Sequence, residues 1–197
     1  DGGESHRISL SGALQHASRF GMTQLNLYTL HTNLALFSNF TYFLDDPVNG
    51  DQFSQFDKRY QSAMNLSHLW VNRIGGLEVE NTAGIQFQND VIDNGLLSTK
   101  QRQTLSTTRK DHINQNSIGL YYQNSIQWLE KFRSVAGVRS DYYWFDVSSH
   151  QAVNSGKRYD SITNPKISLI FGPWAQTEFY FNYGGGFHSN DARGTTT

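Results

Sequence analysis

The chain has 197 residues, a formal net charge of −1, 14% aromatic residues and no cysteine. No run of about 18 apolar residues exists, which excludes a membrane-spanning helix. The missing cysteines exclude a disulfide scaffold, a thiolate zinc site and a cysteine nucleophile, the aromatics argue against disorder, and the neutral balance gives no footprint for nucleic acid.

Both ends, DGGESHR and ARGTTT, read as cuts in a longer chain. From the start the pattern has period two. In 6–16, Ile8, Leu10, Gly12 and Leu14 oppose Arg7, Ser9, Ser11 and Gln15. Alternate side chains of a strand point to opposite faces, so one face is apolar and the other wet. Segment 22–44 is noisier. Its apolar parity changes between Leu25/Leu27 and Leu34/Leu36, which predicts a bulge or a hidden turn. Segment 57–71 is weaker, with Met64, Leu66 and Trp70 sharing one face.

Segment 77–88 is the clearest. Leu77, Val79, Ala83, Ile85 and Phe87 alternate with Glu78, Glu80, Thr82, Gln86 and Gln88. In 117–128, Ile118, Leu120, Tyr122, Ile126 and Trp128 share a face. In 132–145, Phe132, Ala136, Val138, Tyr142 and Trp144 oppose Arg133, Gly137, Arg139 and Asp141. Ile167, Leu169 and Phe171 then precede Thr177, Phe179, Phe181 and Tyr183. The pattern gives about eight strands and no helical periodicity.

Connections alternate in length. Short ones are expected at 17–21, 72–76, 129–131 and 172–175. Long polar ones are expected at 45–56, 90–111 and 146–162, with the tail after Gly186 as a fourth. Long strands with this alternation fit an antiparallel up-and-down transmembrane β-barrel better than a soluble sandwich. Aromatics fall at two levels. Phe20, Trp70, Trp128, Phe132 and Trp174 stand near the short turns. Tyr42, Phe43, Tyr142, Trp144 and Phe145 stand near the long loops. Closure follows from solvation: lipid cannot satisfy backbone amides, so only a closed barrel removes the edges.

Several segments carry a resemblance. They include Ser38-Asn-Phe-Thr-Tyr-Phe-Leu44, Gly137-Val-Arg-Ser-Asp-Tyr142, Asn164-Pro-Lys166 and Gly186-Phe-His-Ser-Asn-Asp-Ala-Arg-Gly194. In this order and spacing the chain resembles the barrel region of TonB-dependent outer-membrane receptors over nearly its whole length. The resemblance implies that residues 1–197 supply about eight strands of a 22-stranded barrel, with the plug domain and TonB box absent. It implies an importer in the outer membrane of a Gram-negative bacterium, with no enzymatic step and no cofactor. The implied partners are outer-membrane lipid, lipopolysaccharide, TonB through the missing N-terminal region, and a small-molecule metal chelate such as a siderophore. Two alternatives stay open: a small eight-stranded outer-membrane adhesin or lipase, and a soluble carbohydrate-binding β-domain.

The candidate ligand-binding residues are Arg102, Arg109, Arg139, Tyr143, His188 and Arg193. Arg102 and Arg109, with Lys100 and Lys110, sit in the expected loop 90–111, where guanidinium groups would attract the oxygens of an anionic chelate. Arg133, Arg139 and Asp141 are expected to face the lumen. His188 and Ser189 are adjacent and would point to opposite faces, a poor nucleophile–base geometry. His188 and Asp191 are too few for a zinc site. Glu78 and Glu80 read as residues that wet the lumen.

Overall fold

A computed structural model describes residues 1–186. They form one sheet of eight strands in sequence order: β1 (Gly2–Ser18), β2 (Gly21–Ser38), β3 (Phe53–Ile74), β4 (Leu77–Lys100), β5 (Gln103–Leu129), β6 (Phe132–Ser149), β7 (Gly156–Trp174) and β8 (Thr177–Gly184). Every neighbouring pair is antiparallel. A short 3₁₀ turn at Ala152–Asn154 precedes β7. The meander is the predicted all-β, up-and-down topology. Among the described residues β1 and β8 do not pair, so these eight strands form an open sheet.

The short connections stand where the pattern places them. Gly75 and Gly76 join β3 to β4 with φ of 60° and 85°, and Ala175 and Gln176 join β7 to β8 with φ of 46° and 71°. Two successive left-handed residues give the hairpin twist that matches twisted strands. Glycine carries this conformation freely at 75 and 76, whereas Ala175 and Gln176 carry it against a Cβ penalty.

The register defines the two faces. One row across the sheet runs Leu14, Leu25, Leu66, Ile85 and Leu120; the next runs Gly12, Leu27, Met64, Phe87 and Ile118. These apolar rows belong to the outer face, and many of their side chains are exposed, Leu14, Leu27 and Leu120 among them. The opposite, inner face carries Asn26, Asn65, Gln86, Gly119 and Asp141 in one row. Most of the buried residues lie on that inner face, including Asp90, Ile92, Ile113, Asp141 and Phe145. A single-layer sheet buries side chains only by crowding them, so the inner face is the concave one.

Four expectations need correction, one of them the expected long connection 146–162, which shrinks to 150–155 because β6 runs to Ser149 and β7 begins at Gly156. The parity change in 22–44 marks neither a bulge nor a turn: β2 pairs without a register shift on both sides. Leu25 and Leu27 face out, and Leu34 and Leu36 face in. The hydrophobic side chains change faces partway along an unbroken strand. The expected loop 90–111 is mostly strand. β4 runs to Lys100 and β5 begins at Gln103, with only Gln101 and Arg102 as the turn. β5, at 27 residues, is more than twice the about 9–11 residues that a membrane-spanning strand needs. The upper aromatics do not form one outward ring. Phe145 is buried inward beside Ile92, Ile113 and Val147, while Tyr42 and Phe43 lie in the 39–52 connection.

At the lower end the aromatics do gather on or near the outer face. Trp70 lies near Tyr122, and the Trp128 Nε1–H donates to Ser134 Oγ at 2.7 Å. Phe132 stacks on Phe171 at 4.8 Å between centroids. The tryptophan and tyrosine rings among them have polar tips and apolar bodies, which suits a membrane–water boundary.

Candidate functional site

The inner face carries ion pairs built on one strand spacing. Arg139 and Asp141 are two residues apart on β6, so both point inward. Arg139 Nε donates to Asp141 Oδ2 at 2.8 Å and to Oδ1 at 3.0 Å, and Nη2 donates to Oδ1 at 2.7 Å. The Asp141 side chain is 2% exposed, against 38% for Arg139. The carboxylate is buried in the wall and the guanidinium stands at its surface.

Glycine makes room for this pair. A Cβ on Gly119 of β5 would collide with Arg139 Nη2 and lie 2.7 Å from Asp141 Oδ1. On the next strand, a Cβ on Gly84 would collide with the Tyr121 ring. The same side-by-side arrangement therefore recurs: Tyr121 of β5 lies over Gly84 of β4, and the Arg139–Asp141 pair of β6 lies over Gly119 of β5. The Arg139 guanidinium is 6.0 Å from the Tyr121 ring centre. Tyr143 continues the inward row of β6 and stacks near Phe145 with rings 4° from parallel. Arg139, Asp141, Tyr143, Gln86 and Gly119 line a cavity of about 310 Å³ on this wall.

The arrangement repeats farther up. Arg109 and Asp111 are also two apart, on β5, with Arg109 Nε 2.5 Å from Asp111 Oδ2. The Asp111 carboxylate is fully buried and also accepts from Ser149 Oγ at 2.6 Å. A looser pair, Arg59 and Asp57 at 3.8 Å, lies inward on β3. Asp57, Asn94 and Asp111 share one row, so the upper pairs are neighbours on the wall. Burial of an arginine-bound carboxylate holds the guanidinium in a fixed orientation.

Arg102 stands elsewhere. It is the second turn residue of the β4–β5 hairpin, at φ 67°. Its backbone N–H donates to Gln52 Oε1 at 2.9 Å, and its guanidinium lies 5.3 Å from the Phe37 ring centre. Lys100 Nζ donates to Val48 O at 3.1 Å and Asn49 Oδ1 at 3.2 Å. The hairpin is thereby fastened to the 39–52 connection. Two carboxylates order that connection. Asp51 accepts the backbone N–H groups of Leu44, Asp45 and Asp46, with the shortest at 2.7 Å. Asp46 accepts those of Val48 and Asn49 and the Asn49 side-chain amide. Burial pushes the Asp51 carboxyl up, but the hydrogen bonds from Asp46, Asp45, Thr41 and Leu44 outweigh it and leave it below the ordinary 3.8. Asp46 is also lowered, first by the Asn49 backbone N–H, then by the Asn49 side chain and the Val48 N–H.

The structure therefore brings Arg139 and Tyr143 to one cavity and sets Arg109 above them on the same wall. Arg102 belongs to the hairpin tip. His188 and Arg193 lie outside the described residues. Glu78 is engaged by Arg73 at 2.8 Å near the short-turn end. The residues that sequence reasoning missed are Asp111, Gly119 and Tyr121. The signal available was the Arg-x-Asp spacing of 109–111, which repeats that of 139–141.

The family described as TonB dependent receptor-like, beta-barrel, matches residues 1–197. No curated protein matches the sequence. Among solved structures, the ferric citrate transporter FecA in its unliganded form superposes with a TM-score of 0.76 at 12% identity, over 91% of this chain and 27% of that one. The copper transporter OprC gives 0.68 at 11% identity, over 92% of this chain and 29% of that one. The open form of the ferric-catecholate import receptor Fiu from E. coli K12 gives 0.67 at 10% identity, over 91% and 35%. At this identity the likeness is one of fold. The chain spans about a quarter to a third of the length of these structures.

Proposed function

The chain belongs to the TonB-dependent receptor β-barrel family, and from that premise we propose that it forms part of an outer-membrane receptor importing a scarce ligand, with a siderophore or other metal chelate first in line. The observation that carries this reading is the division of one sheet into two faces. The outer face presents rows of leucine, isoleucine and phenylalanine, as a bilayer requires. The inner face presents amides, hydroxyls and arginine–aspartate pairs, as a water-filled or plugged lumen requires.

In this reading the barrel seals against lipid and lipopolysaccharide and holds the outer loops. Arg109 and Arg139, oriented by their buried aspartates, line the path of an anionic chelate or contact the plug. The chain makes no covalent change in the ligand. Energy arrives through TonB, recruited by a region outside this chain. The similar structures are named for ferric citrate, ferric catecholate and copper, which favours a metal-bearing cargo.

The test is uptake. The full receptor containing this segment is expressed in cells with and without TonB and offered radio-iron as citrate, catecholate and hydroxamate chelates. Uptake of one class that vanishes without TonB supports the reading. Equal uptake in both strains refutes it.

A further inference from the structure

The sequence holds two Asn–Gly steps, Asn49–Gly50 and Asn94–Gly95. Such a step carries its own reaction. The glycine nitrogen attacks the asparagine Cγ, and a bond forms between them. The Cγ–Nδ2 bond breaks, and ammonia leaves with the proton from the glycine amide. Water then opens the succinimide ring to aspartate or isoaspartate. Glycine favours the step because no Cβ hinders the approach and its backbone turns freely. The asparagine side chain must be free to swing onto the next nitrogen, and that nitrogen must be free to lose its proton.

The two steps stand in contrasting places. Asn94 is 7% exposed and lies in β4, opposite Asp57 of β3 and Asp111 of β5. Pairing on both sides keeps the backbone there extended. Asn49 lies in the 39–52 connection, outside any strand, with Gly50 at φ 82°. By its surroundings the second step is the reactive one.

Yet every group that the reaction must move is held, and Asp46 does most of the holding. The Gly50 N–H donates to Asp46 O at 2.8 Å, so the attacking nitrogen is engaged. Asn49 Nδ2 donates to Asp46 Oδ2 at 3.0 Å, and the Asn49 backbone N–H donates to Oδ1 at 2.9 Å. The Val48 N–H donates to the same oxygen at 3.0 Å. Lys100 Nζ donates to Asn49 Oδ1 at 3.2 Å, so the amide is held at both ends. Gly50 itself is buried, and a Cβ there would lie 3.2 Å from the Phe43 ring and from Tyr42 O.

We propose that Asn49 is a latent self-modification site, converted to aspartate or isoaspartate when released and kept intact by the Asp46 carboxylate. The conversion would open the connection. It replaces an amide that donates to Asp46 with a second carboxylate, and like charges at that distance repel. Isoaspartate also adds a methylene to the backbone inside the turn that the Gly50–Asp46 bond closes.

The test is peptide mapping by mass spectrometry. The full receptor is purified in mild detergent and held for weeks at neutral pH and physiological temperature. The wild type is expected to keep Asn49. Asp46→Ala removes the carboxylate and is expected to convert Asn49 about tenfold faster, since it forfeits charge-assisted hydrogen bonds. Asp46→Asn keeps an oxygen for the backbone N–H groups and is expected to fall between the two. Asn94 is the internal reference and should stay unconverted in all three proteins. Equal rates at Asn49 in the wild type and both variants overturn the proposal. Conversion of Asn94 that accelerates together with Asn49 also overturns it, because general unfolding would then be the cause.

Discussion

Removing either partner of the Arg139–Asp141 pair should not have the same effect. Arg139→Ala leaves a carboxylate that is 2% exposed without its guanidinium, whereas Asp141→Ala leaves a guanidinium that is 38% exposed and can recruit lumen water. Breaking a buried pair so that one charge is stranded costs about 3–5 kcal/mol. The open side of this pair moves the Arg139→Ala cost to the lower end, about 3 kcal/mol, with some of it from lost stem packing. Asp141→Ala forfeits charge-assisted hydrogen bonds worth about 1.5–3 kcal/mol. Water at the exposed guanidinium offsets part of that, leaving about 1–2 kcal/mol. The double variant strands no charge, so its cost should fall below the sum of the two. The assay is guanidinium-induced unfolding of the full receptor in detergent, followed by tryptophan fluorescence, with all four proteins compared. Equal costs for the two single variants, or strict additivity in the double, would refute the assignment of burial to one partner.

Other consequences follow from the same geometry. Gly119→Ala places a Cβ against Arg139 and Asp141 and should cost about 1–3 kcal/mol by overpacking, read as a lowered unfolding midpoint. Gly76→Val forces a β-branched residue to φ 85° in the β3–β4 turn. It should cost about 1–2 kcal/mol in the same assay. The Asp46 and Asp51 carboxyls lie below the ordinary 3.8. The order they give the 39–52 connection is therefore complete above that value and is lost as the pH falls through their lower folded values. Hydrogen exchange of the Leu44, Asp45 and Asp46 amides should stay slow from neutral pH down to about 4 and accelerate below it, beyond the intrinsic trend; Asp51→Asn should show fast exchange at every pH.

How much of this was legible in the sequence depended on where each strand meets the bilayer. Within the spanning rows lipid favours alternation, so 77–88 and 117–128 were legible except at Asn81 and Asn124, which face each other on the outer side, Asn124 Nδ2 donating to Asn81 Oδ1 at 2.9 Å. Farther up, the outer face turns polar and the inner face acquires a hydrophobic cluster. There Asn89, Asp93 and His112 point outward while Ile92 and Ile113 point inward, and the pattern that marks a strand disappears. Residues 90–111 therefore resembled a loop. The same change of surroundings explains β2: Leu25 and Leu27 meet lipid, and Leu34 and Leu36 line the inner wall, without any break in pairing. The inward direction of Arg139 and Asp141 was readable from a spacing of two. The positions of Tyr121 over Gly84 and of the ion pair over Gly119 were not, because they depend on cross-strand register, which the sequence of one strand does not carry.

The account turns on which side chains touch lipid, and β4 offers the most direct measurement. Single cysteines at 83, 85, 86, 87 and 88, in a full receptor otherwise freed of cysteine, can each carry a spin label, reconstituted in bilayers. Collision with oxygen, which concentrates in lipid, and with a water-soluble nickel chelate should alternate: oxygen dominant at 83, 85 and 87, the chelate dominant at 86 and 88. A flat profile, or oxygen dominant at the even positions, would contradict the account.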